Sequence, residues 1–83
     1  MKKILIVDDQ IEVRELIEVT LEIGDYHILS AENGQQALEI ARAEQPDIIL
    51  LDIMMPGRLD GLEVCRRLKA ERGTANITVV MLS

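Results

Sequence analysis

Asp8 and Asp9 close one apolar run of the chain, Ile4-Leu5-Ile6-Val7, and Asp52 closes another, Ile48-Ile49-Leu50-Leu51. Both runs have the length of short strands and are apolar throughout, the pattern of strands covered on both faces of a parallel sheet. In open α/β sheets, ligands sit outside the carboxyl ends of the strands, where the strand order reverses. Two strands ending in carboxylate therefore carry three negative charges to the edge where such a fold does its chemistry. Clustered carboxylates repel, so they are tolerable when one is protonated or when a hard cation sits among them. Asp8, Asp9 and Asp52 thus outline a magnesium site.

The plain alternative is that Asp8 and Asp9 only cap the helix that follows, since carboxylates there satisfy orphan N–H groups and complement the dipole. One capping residue suffices for that, and a second adds repulsion. Asp52 resists the same explanation, because it ends the most hydrophobic strand, where desolvating a lone charge is costly. Together the three favour a joint metal or phosphoryl site.

Strand and helix patterns alternate along the whole chain. After Asp9, Val13, Leu16, Ile17, Thr20 and Leu21 recur at the spacing of an amphipathic helix, with Asp8, Asp9 and Gln10 at its N-cap and Gly24 as its stop. Tyr26 to Ala31 forms a second strand. Glu32-Asn33-Gly34 turns into a helix carrying Ala37, Leu38 and Ala41, and Pro46 forbids it from running past Gln45. Beyond Asp52, Met54-Met55-Pro56-Gly57 reads as a loop. Leu62, Cys65 and Leu68 mark a third helix that Gly73 ends, and Ile77 to Leu82 is a fourth strand. The plan is βαβαβαβ, an α/β fold with a parallel sheet and right-handed crossovers.

Eighty-three residues make one small domain. Tyr26 is the only aromatic residue, so the core must be Ile, Leu, Val, Met and Ala. The net charge of −6 argues against a direct nucleic-acid partner, because phosphate backbones demand a basic patch. Arg66, Arg67 and Lys69 form the one basic cluster and read as a solvated helix face. The single Cys65 excludes an internal disulfide framework and reads as an inert core thiol. His27 reads as a surface residue on an edge strand. The apolar run after Lys3 is too short for a signal peptide, and no segment approaches the roughly 18 apolar residues of a membrane span, so a cytoplasmic location without membrane contact is expected.

The motifs Ile6-Val7-Asp8-Asp9, Asp52-Ile53-Met54-Met55-Pro56-Gly57, Asp60-Gly61 and Val79-Val80-Met81-Leu82-Ser83, in this order, resemble the receiver domain of two-component response regulators across the whole chain. The resemblance implies a flavodoxin-like sheet in the order 2-1-3-4. It implies that Asp52 is the phosphoacceptor for a histidine kinase or phosphotransfer protein. Asp9 would bind Mg2+ directly, Asp8 largely through water, and the Met54 backbone carbonyl would add a ligand, with Mn2+ as a possible substitute. Ser83 would hydrogen-bond the phosphoryl oxygen and act as the switch. No enzyme is implied beyond magnesium-dependent self-phosphorylation and autodephosphorylation.

The chemistry agrees with the resemblance. A carboxylate is a competent nucleophile toward phosphorus, and phosphoryl transfer needs mainly positioning and charge neutralisation. Two departures stand out. Arg58 and Leu59 make the loop before Asp60 one residue longer than the commonest family spacing. The family's sheet also continues with a helix, a lysine-bearing fifth strand and a last helix, which are not found here. Residues 1–83 are therefore expected to be a partial receiver domain, truncated or engineered, with impaired phosphorylation. Its uncovered fourth strand is expected to drive homodimers or higher oligomers.

A haloacid-dehalogenase-type phosphatase would want a second aspartate two residues after the nucleophile, and Ile53-Met54 and Asp9-Gln10 supply none. The more serious rival is a non-signalling fragment that keeps the acidic residues and acts as a folding or oligomerisation module. No glycine-rich nucleotide loop is present, so ATP or NAD binding has no support.

Overall fold

The four apolar runs form one parallel sheet in the computed structural model, which describes residues 1–57 and 59–82. The strands are β1 (Lys2–Val7), β2 (Tyr26–Ala31), β3 (Ile48–Asp52) and β4 (Thr78–Leu82), in the order β2-β1-β3-β4. Between them run α1 (Ile11–Leu21), α2 (Gly34–Glu44) and α3 (Gly61–Ala70). The order is the flavodoxin-like one expected. The chain steps from β1 outward to β2 and then crosses back to β3, so the order reverses between β1 and β3.

One face of the sheet is finished. Leu5, Val7, Ala31, Ile49 and Leu51 point to it and meet Ala37, Leu38 and Ala41 of α2 and Val64 and Leu68 of α3, all buried. Alanine at two of the three contact positions of α2 lets the helix backbone lie close to the strands. Each fully buried Leu or Ile contributes about 1.5–3 kcal/mol relative to exposure. Met55 and Ile77 complete this core, which holds no aromatic side chain. In α3 the buried stripe is Gly61, Val64 and Leu68, with Cys65 half-buried beside it. Leu62, expected in that stripe, is instead 62% exposed, because Gly61 takes the position nearest the sheet.

Among the described residues, the opposite face is covered by α1 alone. Ile4 and Ile6 are buried beneath it, yet α1 itself has no buried residue. Val13, Ile17 and Leu21 are half-buried, whereas Leu16 is 68% exposed and Thr20 is exposed, so those two leave the expected apolar face. On the same side of the sheet, Ile48 and Leu50 are half-buried and Val80 is exposed. No helix of the described residues lies over the half of this face at β3 and β4.

Helix ends follow local chemistry. Asn33 Oδ1 accepts from the Gln36 N–H at 2.9 Å and Asp60 Oδ1 accepts from the Glu63 N–H at 2.9 Å, the usual N-cap bonds. α2 stops at Glu44 before Pro46, with Gln45 in the left-handed region at φ 49°. α3 ends three residues before Gly73, and the buried Thr74 hydroxyl donates to the Leu68 carbonyl at 2.6 Å. Arg66 and Arg67 do form a solvated face, both paired with Glu63, whose carboxyl they pull down to about 2.

Gly61 is required by proximity rather than by backbone angle. A Cβ there would collide with the Asp52 carbonyl oxygen and lie 2.6 Å from the Ile53 Cα, both main-chain atoms that no rotamer change can move. Overpacking of this kind costs about 1–3 kcal/mol. Gly61→Ala is therefore expected to lower the unfolding free energy by that amount, read as a lower urea midpoint, with a fall in melting temperature of about 4–8 °C per kcal/mol. A variant as stable as the parent would show that α3 can shift freely against β3.

Candidate functional site

Register builds the site. β1 pairs with β3 from Ile4↔Ile48 to Val7↔Leu51, so the next residues, Asp8 and Asp52, emerge side by side where the strand order reverses. Asp9 follows on the turn into α1. Each of the three offers a carboxylate oxygen, and these atoms all lie within 4.8 Å of one another. Of the residues named in the sequence as a metal site, the structure brings together Asp8, Asp9 and Asp52.

Their environments differ. Asp8 is only 7% exposed, Asp52 is half-buried and Asp9 is exposed. Asp8 is held from three directions: its N–H donates to the Ala31 carbonyl at 3.1 Å, its Oδ1 accepts the Gln10 N–H at 2.9 Å, and its carbonyl accepts Arg14 Nη1 at 2.6 Å. Asp8 Oδ1 thus takes one free N–H at the start of α1, but neither aspartate is the N-cap, which is Gln10 with no side-chain cap bond, and no capping bond involves the Asp9 carboxylate among the described residues. Burial raises the Asp8 carboxyl above its ordinary value; the Gln10 N–H lowers it, and the charges of Asp52 and Asp9 raise it further.

Asp52 Oδ1 accepts the Met54 N–H at 3.0 Å, an Asx-type turn that fixes the carboxylate at the strand end. No hydrogen bond to the second oxygen, Oδ2, occurs among the described residues. The strand end is tied on both sides: Ile53 N–H donates to the Leu82 carbonyl at 3.0 Å, and its carbonyl accepts the Gly61 N–H at 3.3 Å. Met54 is 77% exposed beside the cluster, while Met55 fills the core as a gap-filling methionine does. Ser83 lies outside the described residues. His27 is exposed on the edge strand β2, as expected.

Arg14 is the neighbour of the cluster that sequence reasoning missed. It sits one turn into α1, among residues read only for apolar spacing. Its one sequence signal is that it is the only cation between Lys3 and Arg42.

The oxygen-only donor set fits a hard cation, and Mg2+ accepts one or two carboxylates with water completing its shell. A carboxyl raised on folding favours the fold fully below its unfolded value near 3.8, and that advantage is lost as pH climbs through the folded-state value. At neutral pH the metal-free cluster thus works against the fold. Asp8→Asn keeps an acceptor for Gln10 and removes the charge. In chelator at pH 7 it is expected to gain about 1 kcal/mol, the scale of one close charge pair in a high dielectric. That gain should shrink as the pH falls toward 4, and calorimetry across this range checks it.

Comparisons with known proteins agree with this architecture. Residues 4–83 match the response regulator receiver domain. The phosphate regulon transcriptional regulatory protein PhoB of Pseudomonas aeruginosa is 49% identical over 82 residues, which are 99% of this chain and 35% of that protein. The alkaline phosphatase synthesis transcriptional regulatory protein PhoP of Bacillus subtilis is 44% identical over 71 residues, 86% of this chain and 29% of that protein. The chain thus spans about a third of the length of these relatives. Among solved structures, the N-terminal domain of a response regulator receiver protein from Methanoculleus marisnigri superposes with a TM-score of 0.94 at 38% identity, covering 100% of this chain and 67% of that one. Chemotaxis protein CheY4 of Vibrio cholerae gives 0.89 at 30% identity, over 98% of this chain and 67% of its own. Sheet order, acidic edge and sequence match agree, and the chain belongs to the response regulator receiver domain family.

Proposed function

We propose that this chain is the phosphoacceptor of a two-component signalling system, taking a phosphoryl group onto Asp52 from a phosphohistidine on a histidine kinase or phosphotransfer protein. The observation that carries this reading is the convergence of Asp8, Asp9 and Asp52 at the switch point of the sheet. With Oδ1 engaged by Met54, Oδ2 is the oxygen available for attack. The new Oδ2–P bond forms as the P–N bond of the donor breaks, and the leaving imidazole takes up a proton.

Asp8, Asp9, Asp52 and the Met54 carbonyl are the groups that would hold Mg2+, with Mn2+ as a substitute. When bound, the cation supplies neutralisation of charge on the transferred oxygens. The chain's own part is positional: the Asx turns at Asp8 and Asp52 hold two carboxylates fixed, and Asp9 stays accessible from solvent. Ser83 is assigned the hydroxyl contact to the phosphoryl group. The chain acts as acceptor rather than as an enzyme on a separate substrate, with self-phosphorylation from small donors and autodephosphorylation as its own activities. No helix among the described residues is long and apolar enough to cross a membrane, and we place the chain in the cytoplasm with its kinase. Direct nucleic-acid contact is not part of the reading, although PhoB and PhoP are named as transcriptional regulators.

Acetyl phosphate with Mg2+ should add one phosphoryl group to the chain, and Asp52→Asn should abolish it. An adduct mapped by mass spectrometry to another residue would sink the assignment. Magnesium titration followed by amide chemical shifts should give saturable shifts around Asp8 and Asp52, lost when Asp9→Ala and Asp52→Ala are combined.

Self-association is the second part of the reading, favoured by the half-face that no described helix covers and by β4. This edge strand, Thr78–Leu82, carries no charge and no proline, and such edges pair with other chains. Antiparallel pairing of two β4 strands about a two-fold places Val80 opposite its copy. Sedimentation of the 83-residue chain at tens of micromolar is expected to show a dimer or larger species, and Val80→Lys to shift it to monomer. A parent chain that sediments as a monomer would defeat the idea.

A further inference from the structure

We propose that Arg14 is a positioning residue of the acidic site: it locks the turn between β1 and α1 so that the Asp8 carboxylate stays directed at Asp9 and Asp52. This rests on the reading of those aspartates as a magnesium site. The half-buried guanidinium donates from Nη1 to the Asp8 carbonyl at 2.6 Å. The Gln10 carbonyl accepts the Arg14 N–H at 3.2 Å, and the Gln10 N–H donates to Asp8 Oδ1 at 2.9 Å. Residues 8, 10 and 14 therefore close a ring of three hydrogen bonds around the turn.

The choice of partner is informative. Glu18 stands one helical turn beyond Arg14, the ordinary place for an ion pair on a helix surface. Yet none of the ion pairs among the described residues includes Arg14. The side chain turns back to a main-chain carbonyl beside the cluster. A charge-assisted bond of this length is among the stronger ones available to a neutral acceptor. Repulsion among three carboxylates this close favours their separation, and the Arg14 bond ties down the turn that carries two of them.

Charge and positioning make opposite predictions. If Arg14 acted only as a nearby cation, removing it would tighten Mg2+ binding. If it positions Asp8, removing it weakens binding, and loss of groups behind metal ligands costs about 10–100-fold in affinity. We expect Arg14→Met to weaken Mg2+ about tenfold in calorimetric titration, and Arg14→Lys, which keeps charge and one donor, to fall between it and the parent. Amide hydrogen exchange of Gln10 and Arg14, whose N–H groups are bonded within the ring, should quicken in metal-free Arg14→Met. Unchanged or tighter binding in Arg14→Met overturns the proposal. Should that variant fail to fold, Arg14→Lys decides: weaker binding at an unchanged melting temperature supports the role, and affinity equal to the parent's overturns it. If the parent itself does not bind Mg2+, the reading of the site fails, and the exchange rates alone then judge the positioning role.

Discussion

The register between β1 and β3 is the constraint on which the site depends. Asp8 and Asp52 are neighbours only because Val7 lies against Leu51. A slip of one residue would turn Ile49 and Leu51 out of the core and bring Ile48 and Leu50 in. Both of the displaced residues are fully buried, and each contributes about 1.5–3 kcal/mol there. Repulsion between two carboxylates about 4 Å apart amounts to about 1 kcal/mol in water and about 4 at an effective dielectric of 20. Burial on the finished face is thus large enough to hold together charges that would otherwise separate, and an apolar core sets the electrostatics of the edge.

Much of this was legible in the residues. Uninterrupted apolar runs ending in aspartate marked β1 and β3, since only strands buried on both faces read that way. β2 and β3 occupy their expected spans, and β4 begins one residue late, at Thr78. What periodicity could not supply was which apolar residues of a helix would find a partner. Leu16 and Leu62 fit the spacing and are nonetheless exposed, because Gly61 in α3 and Val13, Ile17 and Leu21 in α1 lie nearer the strands. The role of Arg14 was invisible for a related reason. Its partner is a backbone carbonyl, which leaves no mark on composition or spacing.

The two faces of the sheet contrast in the same terms. Two helices seal one side with small residues at the contact, so that strands and helices approach closely. On the other side α1 lies over Ile4 and Ile6 and leaves Leu50 and Val80 partly in water. α1 also carries Glu12, Glu15 and Glu18 against a single Arg14, with Glu22 as its C-cap, so its surroundings are strongly acidic as well as apolar.

The bare contact of Gly61 with the main chain of Asp52 and Ile53 carries a mechanical consequence. Side chains at most helix–strand contacts are compliant: they change rotamer and absorb small displacements. Here backbone meets backbone, and the Gly61 N–H is bonded to the Ile53 carbonyl as well. The start of α3 and the end of β3 therefore form a stiff joint. A movement of a few tenths of an ångström at the Asp52 carbonyl has nothing soft to cross before it reaches α3. The helix, ten residues long and about 15 Å from end to end, then works as a lever arm with its fulcrum beside the acidic edge.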